Sequence, residues 1–211
     1  MANTNGAFGL RPIGVVGQAA NTTGMTEYRI AYDNSNAIFQ GSPVIPLSTG
    51  FIARVGAAAG GTVGLVGVFW GCEYISSTTG EKVFSNHWPG SGADSVHPVK
   101  AFVYDNPMQS FIIASDGTLT NEATARAHVF ANANFANGQS GSTTTGISSA
   151  KLAVGTINTT ANLNLRIMGF QEDVSNSDYA AAGIPVIVRL NNSFNSANGA
   201  IAGGTVSTTG V

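Results

Sequence analysis

Residues 99–115 read VKAFVYDNPMQSFIIAS, and their pattern sets the fold class. Val99, Ala101 and Val103 alternate with Lys100, Phe102 and Tyr104, the period of two that puts successive side chains on opposite faces of a strand. Asn106-Pro107 is a turn dipeptide, and MQSFIIAS resumes the strand pattern beyond it.

The same signature recurs in both directions. Upstream, EYRIAY (27–32) places Tyr28, Ile30 and Tyr32 on alternate positions. AIFQGSPVIPL (37–47) reads as a strand whose two prolines remove backbone donors, which suits an edge or a bulge. FIARV (51–55) is a further strand and GAAAGG (56–61) a turn. TVGLVGVFWGCEYI (62–75) is apolar on both faces, and Gly64, Gly67 and Gly71 mark bends or close backbone approach. Downstream, SDGTLT turns at Asp116-Gly117, and NEATARAHVF (121–130) suits a short helix, a turn or a strand. Residues 131–162 are rich in Ser, Thr, Gly and Asn and read as loops with brief strands. LNLRIMGF (163–170) and IPVIVRLNN (184–192) are strands, with a turn or short helix in SNSDYAAAG (175–183) between them. The pattern predicts an all-β fold, a small β-barrel or sandwich of about eight to ten short strands. An extended N-terminal arm (1–27) precedes a single β domain (28–190), and a polar tail (191–211) follows it.

Composition narrows the function. Only 9% of the 211 residues are charged and the net charge is −2, so long-range repulsion does little to keep the chain dispersed. Such a surface suits a protein covered by a partner. The nine Lys and Arg are scattered from Arg11 to Arg189 without a basic run, so no nucleic-acid partner is expected. No apolar run is long enough to span a membrane. MANTNGAFGLRPIG lacks the basic start and apolar core of a secretory signal, so synthesis in a reducing cytoplasm is expected. The one cysteine, Cys72, lies in an apolar run and reads as a small buried hydrophobe.

The stretch 82–107, KVFSNHWPGSGADSVHPVKAFVYDNP, concentrates the residue types of a hydrolase. Ser85, Ser91 or Ser95 would need His87 or His97 and Asp94 or Asp105, but position 89 is proline and the nucleophile elbow G-x-S-x-G is absent. His87 and His97 lack both a cysteine partner and the H-x-x-x-H spacing of a metal site, and His128 is distant in sequence. Phosphate-binding and EF-hand patterns are missing as well. No catalytic residue, metal ligand or cofactor is therefore assigned, and the chain reads as a non-enzyme. Trp70, Trp88 and Tyr104 leave one binding alternative, a sugar-stacking platform.

Six segments then occur in a telling order: GSPVIPLSTGFIARV (41–55), GLVGVFWGCEY (64–74), EKVFSNHWPGSG (81–92), VKAFVYDNPMQSFII (99–113), LRIMGFQED (165–173) and IPVIVRLNNS (184–193). Over roughly Tyr28 to Ser193 the chain resembles a group of small virion proteins of tailed bacteriophages, made together with the major capsid protein. The resemblance implies a capsid decoration (cement) protein on the capsid surface of the virion, made in the host cytoplasm. Its partners would be the major capsid protein and further copies of itself, a homo-oligomer with a trimer favoured. Other virion roles remain alternatives: a head–tail protein, a tail-tube protein or a shell subunit. A shell subunit needs a long spine helix, for which the sequence has no pattern. A carbohydrate-binding β module is the alternative from another class. Capsid or subunit contacts are expected from Phe8, Leu10, Arg11 and Ile13 in the arm and from Trp88 in the 85–97 loop, where Trp88-Pro89 either caps a barrel end or meets a neighbouring subunit. Deleting residues 1–20 is expected on this reading to abolish capsid binding while the β domain stays folded, as binding to expanded capsids would test.

Overall fold

The computed structural model describes residue 3 and residues 6–16, 24–56 and 64–195. Most of the 56–61 turn and the tail beyond residue 195 lie outside the described residues. In chain order the strands are β1 (Arg11–Val15), β2 (Thr26–Ile30), β3 (Pro43–Pro46), β4 (Ile52–Arg54), β5 (Gly67–Ile75) and β6 (Lys82–Ser85). They continue with β7 (Val99–Tyr104), β8 (Gln109–Ala114), β9 (Asn132–Ala136), β10 (Lys151–Asn158), β11 (Leu165–Phe170) and β12 (Pro185–Leu190). One helix, α1 (Glu122–Ala127), starts at Asn121, whose side chain accepts a hydrogen bond from the Thr124 amide.

Two antiparallel sheets of six strands result, a sandwich and not a closed barrel. Sheet I has the order β1-β8-β12-β11-β9-β10. Sheet II has the order β2-β7-β5-β3-β4, with β6 also paired to β5. The two halves of residues 99–115 are both strands, but they lie in different sheets. Between them the Asn106 side chain accepts from the Met108 amide and its carbonyl from the Gln109 amide, so this tight turn carries the chain across the sandwich.

Sheet II is apolar on both faces. Val68, Tyr104 and Ile45 join the core shared with sheet I, where they meet Phe111, Ile113, Leu165, Ile167, Val186 and Val188. The opposite face, with Phe69, Cys72, Val99, Ala101 and Val103, needs its own cover. Sheet II supplies it by curling until β2 and β4, which share no ladder, touch. Trp88 fills the interior of the curl with no exposed surface. Its backbone exchanges both hydrogen bonds with Ile38, and its indole N–H donates to the Asn34 carbonyl at 2.9 Å. Tyr74 meets the indole edge-on at 5.4 Å. The glycines read as bends behave accordingly: β5 shifts register between Phe69 and Gly71, and a side chain at Gly67 would collide with the Tyr104 carbonyl. Sheet I also curls, and a bridge from Ser115 to Leu152 ties β10 back towards the end of β8 without closing the sheet.

Twelve strands exceed the sequence expectation for identifiable reasons. β1 comes from the segment read as an arm, and β9 and β10 from the segment read mainly as loops. The domain limits also move. The boundary at 27/28 falls inside β2, and the first residues of the expected tail are structural. Asn192 and Ser193 are buried, and the 192–194 backbone exchanges hydrogen bonds with Leu65. Trp88→Ala is expected to lower unfolding free energy by about 3–5 kcal/mol, the cost of an aromatic cavity, measurable as a shifted denaturation midpoint.

Candidate interaction surface

β1 begins where two glycine backbones cross. Gly9 (φ 69°) and Gly41 (φ 85°) occupy the left-handed region, and a Cβ on Gly9 would lie 2.8 Å from the Gly41 carbonyl oxygen. That close approach lets the Leu10 amide donate to the Gly41 carbonyl at 2.9 Å and drops the Leu10 side chain fully into the shared core. The chain then pairs with β8 from Arg11 to Val15, bulging between Pro12 and Gly14. The bulge leaves Ile13 47% exposed at the outer edge of sheet I. Beside it, the exposed Arg11 guanidinium lies 5.1 Å from the centre of the half-buried Phe8 ring.

The outer face of sheet I continues this surface. Its register aligns Arg11, Ile112 and Ile187 in one row and Ser110, Arg189, Arg166 and Asn132 in the next. Ile112 and Ile187 are half-buried and belong to neither core. Arg166 and Arg189 stand directly opposite each other on β11 and β12, an unfavourable like-charge pairing. The six strands of sheet I hold Arg11, Lys151, Arg166 and Arg189, four of the nine basic residues, and no Asp or Glu. Among the described residues none of these four forms an ion pair. Arg166 Nε donates to Asn132 Oδ1, and Arg189 Nη1 donates to the Met108 sulfur. The Nε of Arg189 is buried with no hydrogen-bond partner among the described residues.

Of the five residues expected to make contacts, Phe8, Arg11 and Ile13 lie together at this edge. Leu10 and Trp88 do not face outward; both are fully buried in the chain's own core and offer a partner no surface. The expected effect of removing residues 1–20 is corrected with them, because that deletion strips Leu10 and β1 from the sandwich. Sequence inspection missed the arginine pair because Arg166 and Arg189 meet only once the β11–β12 register is known.

The 82–107 stretch is more ordered than a free loop. Ser85 Oγ donates to the His87 carbonyl at 2.7 Å and lies 3.4 Å from His87 Nδ1, while the His87 ring stacks on Phe39. His97 Nδ1 lies 2.6 Å from Asp94 Oδ2, and this hydrogen bond holds the Asp94 carboxyl below its usual range. Asp94 is bonded at Ile75 whereas Ser85 pairs with Cys72, so the serine–histidine and aspartate–histidine contacts stay separate along β5. His128 caps the C-terminus of α1. Among the described residues no three His, Cys, Asp or Glu side chains gather as a metal site, and no helix is long and apolar enough to cross a membrane. Trp70 is half-buried and edge-on to Tyr104 at 5.5 Å; with Trp88 inside the core, the three aromatics form no common platform.

A cleft of about 310 Å³ opens at one end of the sheet II curl, lined by Pro46, Leu47, Phe51, Val66 and Phe194. At its polar end Tyr28 donates to Asp105 at 2.9 Å, and Asn195 donates to both. Burial, opposed in part by the Asn195 hydrogen bond, raises the Tyr28 pKa. Comparison of the chain with protein-family models, characterised proteins and solved structures finds no match in any of the three.

Cys72 is buried as expected, and burial pushes its thiol from an ordinary 9.0 up to about 12. The folded chain therefore holds this proton more tightly than the unfolded chain. The resulting stability is complete below pH 9 and declines as pH rises towards 12, at up to ~1.4 kcal/mol per pH unit. Cys72→Val should blunt that alkaline decline, as denaturant titrations across this range would show.

Proposed function

We propose that the protein is a non-enzymatic virion structural protein that binds and stabilises the outside of a tailed-phage capsid as a decoration protein. The observation that carries this reading is the ordered series of segments from Gly41 to Ser193 that resembles small phage virion proteins. Two structural features support it. An exposed strand edge bearing Phe8, Arg11 and Ile13 suits attachment to another protein. The sparsely charged surface suits a molecule that works while covered. A cement protein acts by adding contact area between shell subunits, and icosahedral repetition multiplies contacts that are individually weak.

Cryo-EM of the intact particle, with copy number from quantitative mass spectrometry, tests the proposal. Hundreds of copies on the outer shell are expected. A ring of fixed stoichiometry at the neck or tail would replace the decoration reading with a head–tail or tube role. Arg11→Glu with Ile13→Asp leaves Leu10 and the core intact and is expected to lower capsid occupancy about tenfold. Unchanged occupancy would remove the β1 edge from the contact.

A further inference from the structure

The charge on sheet I has a counterpart elsewhere on the chain. Beyond β11, residues 171–179 carry Glu172, Asp173 and Asp178 around a 3-10 turn, Val174–Asn176. Asp173 is engaged within the turn, where it accepts from the Asn176 side chain at 2.7 Å and from the Ser175 amide at 3.0 Å. Glu172 is exposed and shares a concavity with Arg126, but that guanidinium is already paired with Glu122 at 2.6 Å, so the tip keeps a net negative charge. Val174 beside it is 95% exposed, an apolar tip. A concavity of about 660 Å³ lies beside this turn and is lined by Glu122, Glu172, Asp173 and Val174 among others.

The basic face and the acidic tip cannot neutralise each other within one chain. Arg166 and Glu172 stand at and beyond opposite ends of β11, about 20 Å apart at the rise of a strand, well past the screening length at physiological salt. Their chemistry is nevertheless matched. One surface sets an uncompensated arginine pair beside two isoleucines outside the core; the other sets a carboxylate beside a bare valine. We infer that the outer face of sheet I receives the Glu172–Val174 tip of a second copy of this chain. Glu172 answers Arg166 and Arg189, while Val174 covers Ile112 and Ile187. Because the two surfaces differ, the contact is heterologous: it closes into a ring if the rotation permits and otherwise extends as a chain. The inference gives an interface to the homo-oligomer that the resemblance implies, on a face adjoining the β1 edge proposed to meet the capsid. Its test reads the free chain in solution, so either reading can fail without the other.

Sedimentation velocity of the full chain tests it. Wild type should self-associate at low salt and dissociate as salt rises. Arg166→Glu with Arg189→Glu should weaken association about 100-fold, and so should Glu172→Arg with Val174→Arg. Circular dichroism and the thermal midpoint report folding of each variant. Mixing the two variants should restore association, because each retains the surface the other lacks, and this restoration also shows that both are folded. Wild type that stays monomeric overturns the inference. So does association indifferent to both salt and the substitutions, or folded variants whose mixture stays dissociated. Monomers that bind duplex DNA through Arg166 and Arg189 would reassign the face to nucleic acid and likewise overturn it.

Discussion

Sheet II must bury two apolar faces, and the rest of the architecture follows from that requirement. One face has a partner in sheet I, through Val68, Tyr104 and Ile45. With a single six-residue helix among the described residues, little secondary structure remains to cover the other face. The sheet therefore curls onto it, and a curled sheet leaves an axial void that its own small residues, such as Ala101, do not fill. Trp88 fills it. The indole carries the largest fully buried side chain among the described residues, and its one polar atom is satisfied by Asn34. The histidine- and serine-rich loop on either side of Trp88 is held by this anchor. Its polar groups serve the loop's own turns, as the Ser85–His87 and Asp94–His97 contacts illustrate.

What could be read from the sequence was what period-two alternation reports. β7, β11 and β12 follow their hydrophobic patterns, and Cys72 is buried as its apolar surroundings predicted. β9 and β10 escaped because side-chain hydrogen bonds help hold them: Asn132 donates to the Thr160 carbonyl, Thr156 accepts from the Asn134 amide, and Asp116 accepts from the Val154 amide. Asn, Thr and Asp read as loop formers in isolation, and only their partners show that they support a ladder. Trp88 was legible as a cap or a contact but not as the filling of the sheet II curl, because a single buried residue in a polar loop has no period. Phe8, Arg11 and Ile13 lie together at one edge, whereas Leu10 is buried in the core; alternation would put Leu10 on the side of Phe8, and the left-handed Gly9 between them breaks it.

The two surfaces of sheet I make opposite demands. Its inner face is a dense apolar core, whereas its outer face keeps two arginines in register although the pairing is unfavourable. Arg→Thr at either position would suit a strand and remove the repulsion. The sequence thus keeps a local electrostatic cost on the face that the core does not use.

The tight turn between β7 and β8 also orders events during synthesis. Every strand of sheet II is encoded between Thr26 and Tyr104, so that half of the sandwich can assemble once the turn has left the ribosome. Sheet I waits for β12, which ends at Leu190 and lies between β8 and β11. Among the described strands β1 precedes the others, yet its strand partner there, β8, follows nearly a hundred residues later, so an early strand is among the last secured. Until then the face of sheet II destined for sheet I is open to solvent. A nascent chain in that state exposes Val68 and Ile45, an adhesive surface that crowding by sister chains would engage before the finished molecule exists.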